Sequence, residues 1–507
     1  MTKHQIKPCL PAVGILLNCV KFSLYISLFI ILISNVFDEQ FANFKNNINS
    51  FIQSVLFIEG FIVDLRNHIK ETLKLALPIS AGQLGHIMLG VIDCAMVGKV
   101  GSASLAAASL VNGICFLVIV LGLGLTMAST PLIAMAKGAG NFSDCGKTLN
   151  HSLIVNIFFS VFLMIATYLI SYLIPFLNQP KEVAALAIPY LRVLSLSIIP
   201  FILFQCYRQF LEGLSLPYPP MVIAILANIT HAFLNWIFIY GNLGAHSYGL
   251  FGAGVATTFT RWMMAIVLIV YVLNYKKTID FKPKPKFIPI DYALIKKLVR
   301  IGIPSGLQYF LEVASFTFAA IMIGWIGKTQ LAAHQIALNI ASITYMVILG
   351  VSFAGTIRVG TAFGHRDISE VRKSGFTAIS LAALTMFCFG IIIISTRNYL
   401  PLFYIKEKEV IKLASKLLII AALFQIFDGL QSSGISVLRG LADTKIPMII
   451  SFGAYWLIGI PVAALLGFYC GLGTVGIWIG LLLGLAILGI SMLFRFNNKS
   501  KVVLRLD

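Results

Sequence analysis

Charge is scarce in this sequence of 507 residues: only 11% of the residues are Asp, Glu, Lys or Arg, whereas 59% are hydrophobic. A soluble protein of this size has too little interior to cover so much apolar surface, so composition excludes a soluble globular fold. The chain is therefore predicted to be a polytopic membrane protein.

Acidic residues are scarcer still, with 19 Asp and Glu against 38 Lys and Arg. In a soluble chain the resulting charge of +19 would suggest a nucleic-acid partner. Here the basic residues lie between apolar runs and fall mostly on alternate connections, which the positive-inside rule explains without nucleic acid. The rule places both ends of the spanning region in the cytoplasm, although Lys406, Lys408 and Lys412 fall on the opposite side.

Motifs of enzymes and of ATP-driven pumps are missing. The sequence has no HExxH, GxSxG or Walker A pattern, and its GLGTVG run at 471–476 lies between apolar helix-length stretches, so the chain is predicted to be neither an enzyme nor an ATPase and to need no cofactor. The eight cysteines include no CxxC pair, and most of them lie in apolar segments, which indicates neither a disulfide framework nor a cysteine metal site. Any transport would then be driven by an ion gradient.

Long apolar stretches recur regularly from Arg66 onward, separated by Gly, Pro and charged residues. They predict an all-α fold of about twelve transmembrane helices, which begin near residues 74, 106, 150, 184, 219, 249, 300, 331, 373, 410, 445 and 474.

The pattern divides the chain into four parts. Residues 1–65 are an extension of uncertain topology, in which Leu10 to Val36 is long enough for an extra transmembrane helix. Residues 66–275 and 298–507 are two six-helix lobes, the second with a short cytoplasmic tail. A basic linker, residues 276–297, joins them, and its Lys-Pro-Lys-Pro-Lys run is typical of an extended, solvated tether.

The second lobe repeats the first. A single fixed offset along the sequence superposes Pro78 on Pro304, Gly98 on Gly324, Gly124 on Gly350, Gly138 on Gly364 and Pro175 on Pro401. After one inserted residue, Gly213 matches Gly440. Six helices per copy is an even number, so both copies enter the membrane from the same face and the repeats are parallel. Two such bundles enclose a cavity that rocking exposes to each side in turn, which is alternating access.

Glu312 lies near the middle of an apolar helix, and Asp428 lies well inside another helix of the same lobe. A carboxylate in the bilayer needs a partner, a bound cation or a proton. Two acids on different helices suit either a Na⁺ site, because hard cations prefer oxygen ligands, or a pair that holds a proton.

A second polar set is predicted in the first lobe. Asp93 lies on its first helix with His86 seven residues earlier, while His231 and Asn235 share one face of a later helix. If those helices adjoin, the histidine and the acid suit proton coupling. Arg261 also falls inside an apolar helix, where it either snorkels or pairs with an acid.

Several stretches resemble the multidrug and toxic compound extrusion (MATE) family, in its bacterial NorM-type branch. The resemblance covers roughly residues 66–500. It is carried by VIDCAMVGKVG in the first copy and by IGIPSGLQYFLEVASF, LAAHQIALNIASITYMV, GTIRVGTAFGHRD and FQIFDGLQSSGISVLRGLADTKIPM in the second.

The resemblance implies two six-helix lobes around a V-shaped cleft, in a monomer of the bacterial inner membrane. It implies export of organic cations and drugs in exchange for inward Na⁺ or H⁺. Asp93 matches the family's first-helix acid, and Glu312 and Asp428 match second-lobe acids associated with cation binding. Asn235 matches the second of two fifth-helix asparagines, but His231 replaces the first, which favours protons over Na⁺ in the first lobe.

The alternative function is a flippase for a lipid-linked saccharide or another amphiphile, a task performed by relatives with similar helices. Such proteins often use a cavity rich in Arg and Lys for anionic head groups. The three acids Asp93, Glu312 and Asp428 favour cationic cargo instead.

Overall fold

The computed structural model describes residues 42–177, 179–244, 246–281 and 289–502, with side chains from residue 64 to residue 501. In this part of the chain, twelve helices are long and apolar enough to cross a membrane, which confirms the predicted architecture. The first six are α1 (Asp64–Val97), α2 (Ser102–Gly138), α3 (Phe142–Ile170), α4 (Lys181–Gly213), α5 (Tyr218–Tyr240) and α6 (Gly249–Asn274). The last six are α7 (Tyr292–Ile326), α8 (Lys328–Gly364), α9 (Ile368–Thr396), α10 (Lys408–Gly440), α11 (Lys445–Tyr469) and α12 (Gly473–Lys501).

Some of these helices are longer or less regular than the sequence indicates. Helix α1 continues a helix that begins at Ala42, and α4 is broken at Ser197 between Lys181–Leu196 and Ile198–Gly213. The predicted extra helix at Leu10 to Val36 lies outside the described residues. The boundaries proposed for the extension, the linker and the two lobes stay predictions.

The two halves turn at equivalent positions. Gly101 and Gly327, which precede α2 and α8, have φ angles of 154° and 158°. Gly140 and Arg366, which precede α3 and α9, have φ angles of 72° and 61°. The offset of the sequence repeat relates both pairs, so the repeat extends to the backbone of the connections.

Hydrogen bonds repeat as well. The hydroxyl of Thr130 on α2 donates to the backbone carbonyl of Gln209 on α4 (3.3 Å). The hydroxyl of Thr356 on α8 donates to the carbonyl of Ser436 on α10 (2.7 Å). Each lobe therefore ties its second helix to its fourth through a threonine hydroxyl, and in the first lobe this hydroxyl also contacts the side-chain oxygen of Gln209.

Each lobe has its own apolar core. One core of buried residues lies wholly within residues 319–496, in α7–α12. Two others lie within residues 133–272 and 97–253, in α1–α6 and their connections. Smaller clusters combine residues of both lobes, such as Ala128 and Leu132 with Leu298 and Ile301.

The lobes meet closely at the side predicted to be cytoplasmic. A Cβ atom added to Gly124 on α2 would overlap the backbone of Gly306 on α7, and one added to Gly138 would overlap the carbonyl of Thr361 on α8. The Ser80 hydroxyl on α1 donates to the Val347 carbonyl on α8 (2.7 Å). Only glycine permits this backbone approach, so the lobes are closed at this end.

Gly124→Ala is expected to lower the melting temperature of the purified protein, because the clash with Gly306 is with backbone atoms and no rotamer relieves it. The control is Gly113→Ala on the same helix, where an added Cβ meets nothing within 4 Å. That change should stabilise the helix by about 1 kcal/mol. Equal shifts for both variants would contradict the close packing of α2 on α7.

Candidate functional site

In the N-terminal lobe, three helices bring the predicted polar residues together around Asp93. His231 and Asn235 lie one turn apart on α5 and point at the carboxylate of Asp93 on α1. His231 Nε2 is 2.8 Å from Asp93 Oδ1, and Asn235 Nδ2 donates to the same oxygen at 2.7 Å. The Thr257 hydroxyl on α6 lies 3.2 Å from Asp93 Oδ2 and 2.9 Å from the Ala253 carbonyl, so these two acceptors share its one hydrogen. The cluster expected from the sequence therefore exists as a geometric unit.

The hydrogen atoms in this cluster follow from its partners. The Thr260 hydroxyl on α6 lies 2.8 Å from the Ala256 carbonyl and 3.1 Å from His231 Nδ1. When the hydroxyl gives its one hydrogen to Ala256, it accepts from His231 Nδ1–H, and Nε2 then faces the Asp93 oxygen. Two acceptors so close together would repel each other, so one proton lies between Nε2 and Oδ1.

Burial seals this cluster from bulk water. His231 and Asn235 are completely buried, and Asp93 is 6% exposed. Asn235 Nδ2 also lies 3.2 Å from His231 Nε2, so the amide contacts both members of the pair. These hydrogen bonds give the buried pair a fixed geometry and join α1 to α5.

In the C-terminal lobe, Glu312 on α7 is held by two amides. Gln308, one turn earlier on α7, donates to Glu312 Oε2 at 3.2 Å, and Gln431 on α10 donates to the same oxygen at 3.1 Å. Asp428 lies three residues before Gln431 on α10, and both acids are 7% exposed. The structure shows no hydrogen bond between Glu312 and Asp428, so Gln431 links the two helices.

This C-terminal cluster offers oxygen atoms to an ion. Gln431 Oε1 is buried and has no hydrogen-bond partner among the described residues. That part of the chain also holds no group of three or more His, Cys, Asp or Glu side chains arranged for a metal. A Na⁺ ion here would need amide oxygens such as Gln431 Oε1 in addition to the carboxylates of Glu312 and Asp428.

Two other predicted residues lie apart from these acids. His86 on α1 contacts Phe204 and Phe201 of α4, with ring centroids 5.4 and 6.1 Å apart, and does not join the Asp93 cluster. Arg261 on α6 donates through Nη1 to the Ser197 hydroxyl at 2.8 Å. The sequence leaves two alternatives for Arg261, snorkelling to water or pairing with an acid. Within the described residues Arg261 forms no ion pair, so pairing with an acid is not observed.

The sequence reasoning missed several buried polar residues. Thr257 and Thr260 form part of a polar TTFT run, and the two glutamines occur beside the acids in LQYFLE and FDGLQ. Gln308 lies four residues before Glu312, and Gln431 lies three residues after Asp428. This spacing places each glutamine on the same helical face as the acid and could have identified it.

The lobe interiors also hold more charge than the sequence reasoning allowed. Arg208 pairs with Glu212 on α4 through Nε and Oε1 at 2.6 Å, and both side chains are buried. On α10, Arg439 is 2% exposed and its Nε atom has no partner in the described structure. The repeat matches Gly213 to Gly440. The preceding residues, Glu212 and Arg439, are therefore equivalent, so the two lobes carry opposite charges at this position.

Comparison with protein families identifies this arrangement. The model of the MatE family matches the chain twice, over residues 78–237 and 304–465, once in each lobe. The chain belongs to the MatE family. It is therefore a multi-pass membrane protein of a transporter family, and the two matches agree with the internal repeat.

Bacterial relatives of the MatE family align over most of the chain. A protein of Bradyrhizobium diazoefficiens, named probable multidrug resistance protein NorM, is 34% identical over 437 residues, which cover 85% of this chain and 94% of the relative. The multidrug resistance protein MdtK of Yersinia pseudotuberculosis is 33% identical over 445 residues, which cover 87% of this chain and 96% of the relative.

Solved structures of MATE transporters share the fold. The eukaryotic MATE transporter AtDTX14 superposes with a TM-score of 0.78 at 22% identity, covering 87% of this chain and 99% of that chain. A MATE structure in complex with MaD3S gives a TM-score of 0.80 at 21% identity, and the match covers 86% of this chain and 97% of that chain. At this identity the likeness shows the fold alone.

Thr260→Val is expected to destabilise the protein by about 1–3 kcal/mol, because it leaves the buried His231 Nδ1–H without an acceptor. Thermal unfolding in detergent measures the loss. Thr230→Val on α5 is the control, since that hydroxyl donates to the Leu226 carbonyl of its own helix. If Thr260→Val melted no lower than Thr230→Val, the hydrogen bond between Thr260 and His231 would be contradicted.

Proposed function

We propose that the protein is a secondary antiporter of the inner membrane that exports organic cations in exchange for inward H⁺ or Na⁺ by alternating access. The observation that carries this proposal is the buried Asp93–His231 pair, which needs one shared proton. The names of the NorM and MdtK relatives, both multidrug resistance proteins, support drugs as cargo.

The geometry of the pair supports proton coupling in the N-terminal lobe. With the proton present, Asp93 ties α1 to α5 and α6 through His231, Asn235 and Thr257. Without it, Nε2 and Oδ1 repel each other and a cationic substrate becomes the better counter-charge for Asp93. Proton and substrate then favour different conformations, and a few kcal/mol of difference suffices to couple them.

The C-terminal lobe supplies the second acidic cluster. Glu312 Oε2 accepts from two amides, whereas Glu312 Oε1 and the Asp428 carboxylate form no hydrogen bond with the described residues. These oxygens suit Na⁺, a proton or the positive charge of a substrate. Glu312, Asp428 and Asp93 are therefore proposed as the ion-binding residues, with Asn235 and His231 in support. His86, which contacts Phe201 and Phe204 instead, is proposed only as a residue of the substrate cavity.

Proteoliposomes that hold rhodamine 123, a cationic dye, test the proposal under an imposed pH gradient or an imposed Na⁺ gradient. His231→Asn is expected to reduce pH-driven efflux by roughly ten-fold, since it removes a charge-assisted hydrogen bond of about 1.5–3 kcal/mol from the proton site. Asp93→Asn should abolish pH-driven efflux.

The matched control is His365→Asn, which changes an exposed histidine outside both acid clusters. Unchanged pH-driven efflux in His231→Asn would contradict the shared proton. No efflux of the dye under either gradient would contradict the antiporter proposal and favour the flippase alternative.

Glu312→Gln tests the C-terminal cluster in the same vesicles. The substitution keeps the shape of the side chain and removes its charge, so any stimulation of dye efflux by Na⁺ is expected to disappear. Stimulation by Na⁺ that survives in Glu312→Gln would exclude the Glu312 carboxylate as a ligand of the coupling ion.

A further inference from the structure

A cavity opens between the two lobes at the end predicted to be cytoplasmic. Its volume is about 790 Å³, and it reaches from α2 and α3 of the first lobe to α7, α8 and α9 of the second. Neither the Asp93 cluster nor the Glu312 cluster contributes to its described lining, so the cavity is separate from the proposed ion sites. Its apolar lining includes Leu132, Met135, Leu294, Phe363 and Val371.

Both lobes hold the walls of this cavity in place. A Cβ atom added to Gly364, which lines the cavity on α8, would overlap the Met135 carbonyl on α2. His151 on α3 donates through Nδ1 to the Lys147 carbonyl at 2.8 Å and accepts through Nε2 from the Asp291 backbone N–H at 3.0 Å. These backbone partners fix the hydrogen of His151 on Nδ1 and tie α3 to the start of α7. A molecule in the cavity would therefore contact both lobes at once.

The charged side chains that line the cavity are positive in sum. They are Lys147, Lys297 and Arg366, against the two acids Asp144 and Asp291. Asp144 pairs with Lys147 on its own helix at 3.2 Å. Asp291 Oδ1 accepts from two backbone N–H groups at the start of α7, at 3.0 and 3.1 Å. Both acids are thus engaged locally, which leaves two cations over.

These two cations, Lys297 on α7 and Arg366 in the turn before α9, are available to a ligand. In the part of the chain that the structure describes, neither side chain forms a hydrogen bond or an ion pair. The backbone of Arg366 has a φ of 61° and donates to the Phe363 carbonyl at 3.1 Å, so the turn presents its side chain from a defined position. Unpaired cations beside an apolar lining suit an anion that also has an apolar part.

We propose that this cavity binds the head group of an anionic phospholipid, whose phosphate is held by Lys297 and Arg366. A guanidinium binds phosphate oxygens bidentately, and an ammonium adds a point charge. Basic pockets between transmembrane helices at the cytoplasmic side recognise such head groups. The apolar lining favours a lipid over a free phosphate, because a free phosphate would contact the cations alone. Since both lobes wall the cavity, the bound lipid joins them and stabilises the closed end.

Thermal unfolding of the full-length protein in a non-ionic detergent tests this site. The probes are dioleoylphosphatidylglycerol, which is anionic, and dioleoylphosphatidylcholine, which has the same acyl chains and no net charge. The anionic lipid is expected to raise the melting temperature saturably, because a ligand of the folded state alone stabilises that state. The double variant Lys297→Gln with Arg366→Gln should weaken its apparent affinity by roughly ten-fold or more, since charge-assisted hydrogen bonds are lost. Without lipid the double variant should melt like the wild type, because neither side chain has a partner to lose.

The matched control is Lys277→Gln with Lys296→Gln, which removes two exposed positive charges at the same end but outside the cavity lining. It should keep the wild-type affinity for the anionic lipid. An equal loss in this control would overturn the proposal, because the lipid would then respond to overall charge. Equal stabilisation by the two lipids, or no saturable response to the anionic one, would overturn it as well.

A soluble phosphate ester separates a lipid site from a site for a free phosphate. Glycerol 3-phosphate carries the phosphate without acyl chains, and it is expected to stabilise the protein far less than the anionic lipid at equal concentration. Equal stabilisation by glycerol 3-phosphate would overturn the lipid assignment in favour of a soluble phosphate ligand. None of these measurements involves transport, so their outcome is independent of the proposed antiporter.

Discussion

A carboxylate inside a bilayer must be satisfied by protein, proton or ion, and this constraint organises both lobes. Asp93 meets it through a histidine, an amide and a hydroxyl from two other helices. Glu312 meets it through two glutamines on two helices. In each lobe the acid therefore joins the helices around it, so binding or losing a positive charge there changes how those helices pack.

The two lobes satisfy the constraint with different chemistry on one scaffold. The repeat preserves the turns before α2 and α8 and the hydroxyl bonds of Thr130 and Thr356. It does not preserve the charged groups, since Glu312 stands where the first lobe has His86, and Arg439 stands where it has Glu212. Close glycine contacts at one end then join two bundles that are alike in backbone but differ in the side chains at these equivalent positions.

Much of the fold was predictable because apolar length, basic connections and a repeat of fixed offset leave few alternatives to twelve helices in two bundles. The Asp93 cluster was also predictable, since His231 and Asn235 share a helical face. Thr260 was not singled out, because a hydroxyl in a membrane helix commonly bonds its own backbone. Arg261 was noticed but not explained, because its lack of an acidic partner depends on how α4 and α6 pack.

The central claim is that one proton lies between His231 and Asp93 while His231 Nδ1 donates to Thr260. Nitrogen-15 NMR of histidine-labelled protein in lipid nanodiscs measures this directly, with the His231 signals assigned by their absence in His231→Asn. The account predicts a protonated Nδ1 and a strongly hydrogen-bonded Nε2 whose signal changes in Asp93→Asn. An unprotonated Nδ1, or an Nε2 signal that ignores the loss of the Asp93 charge, would contradict it.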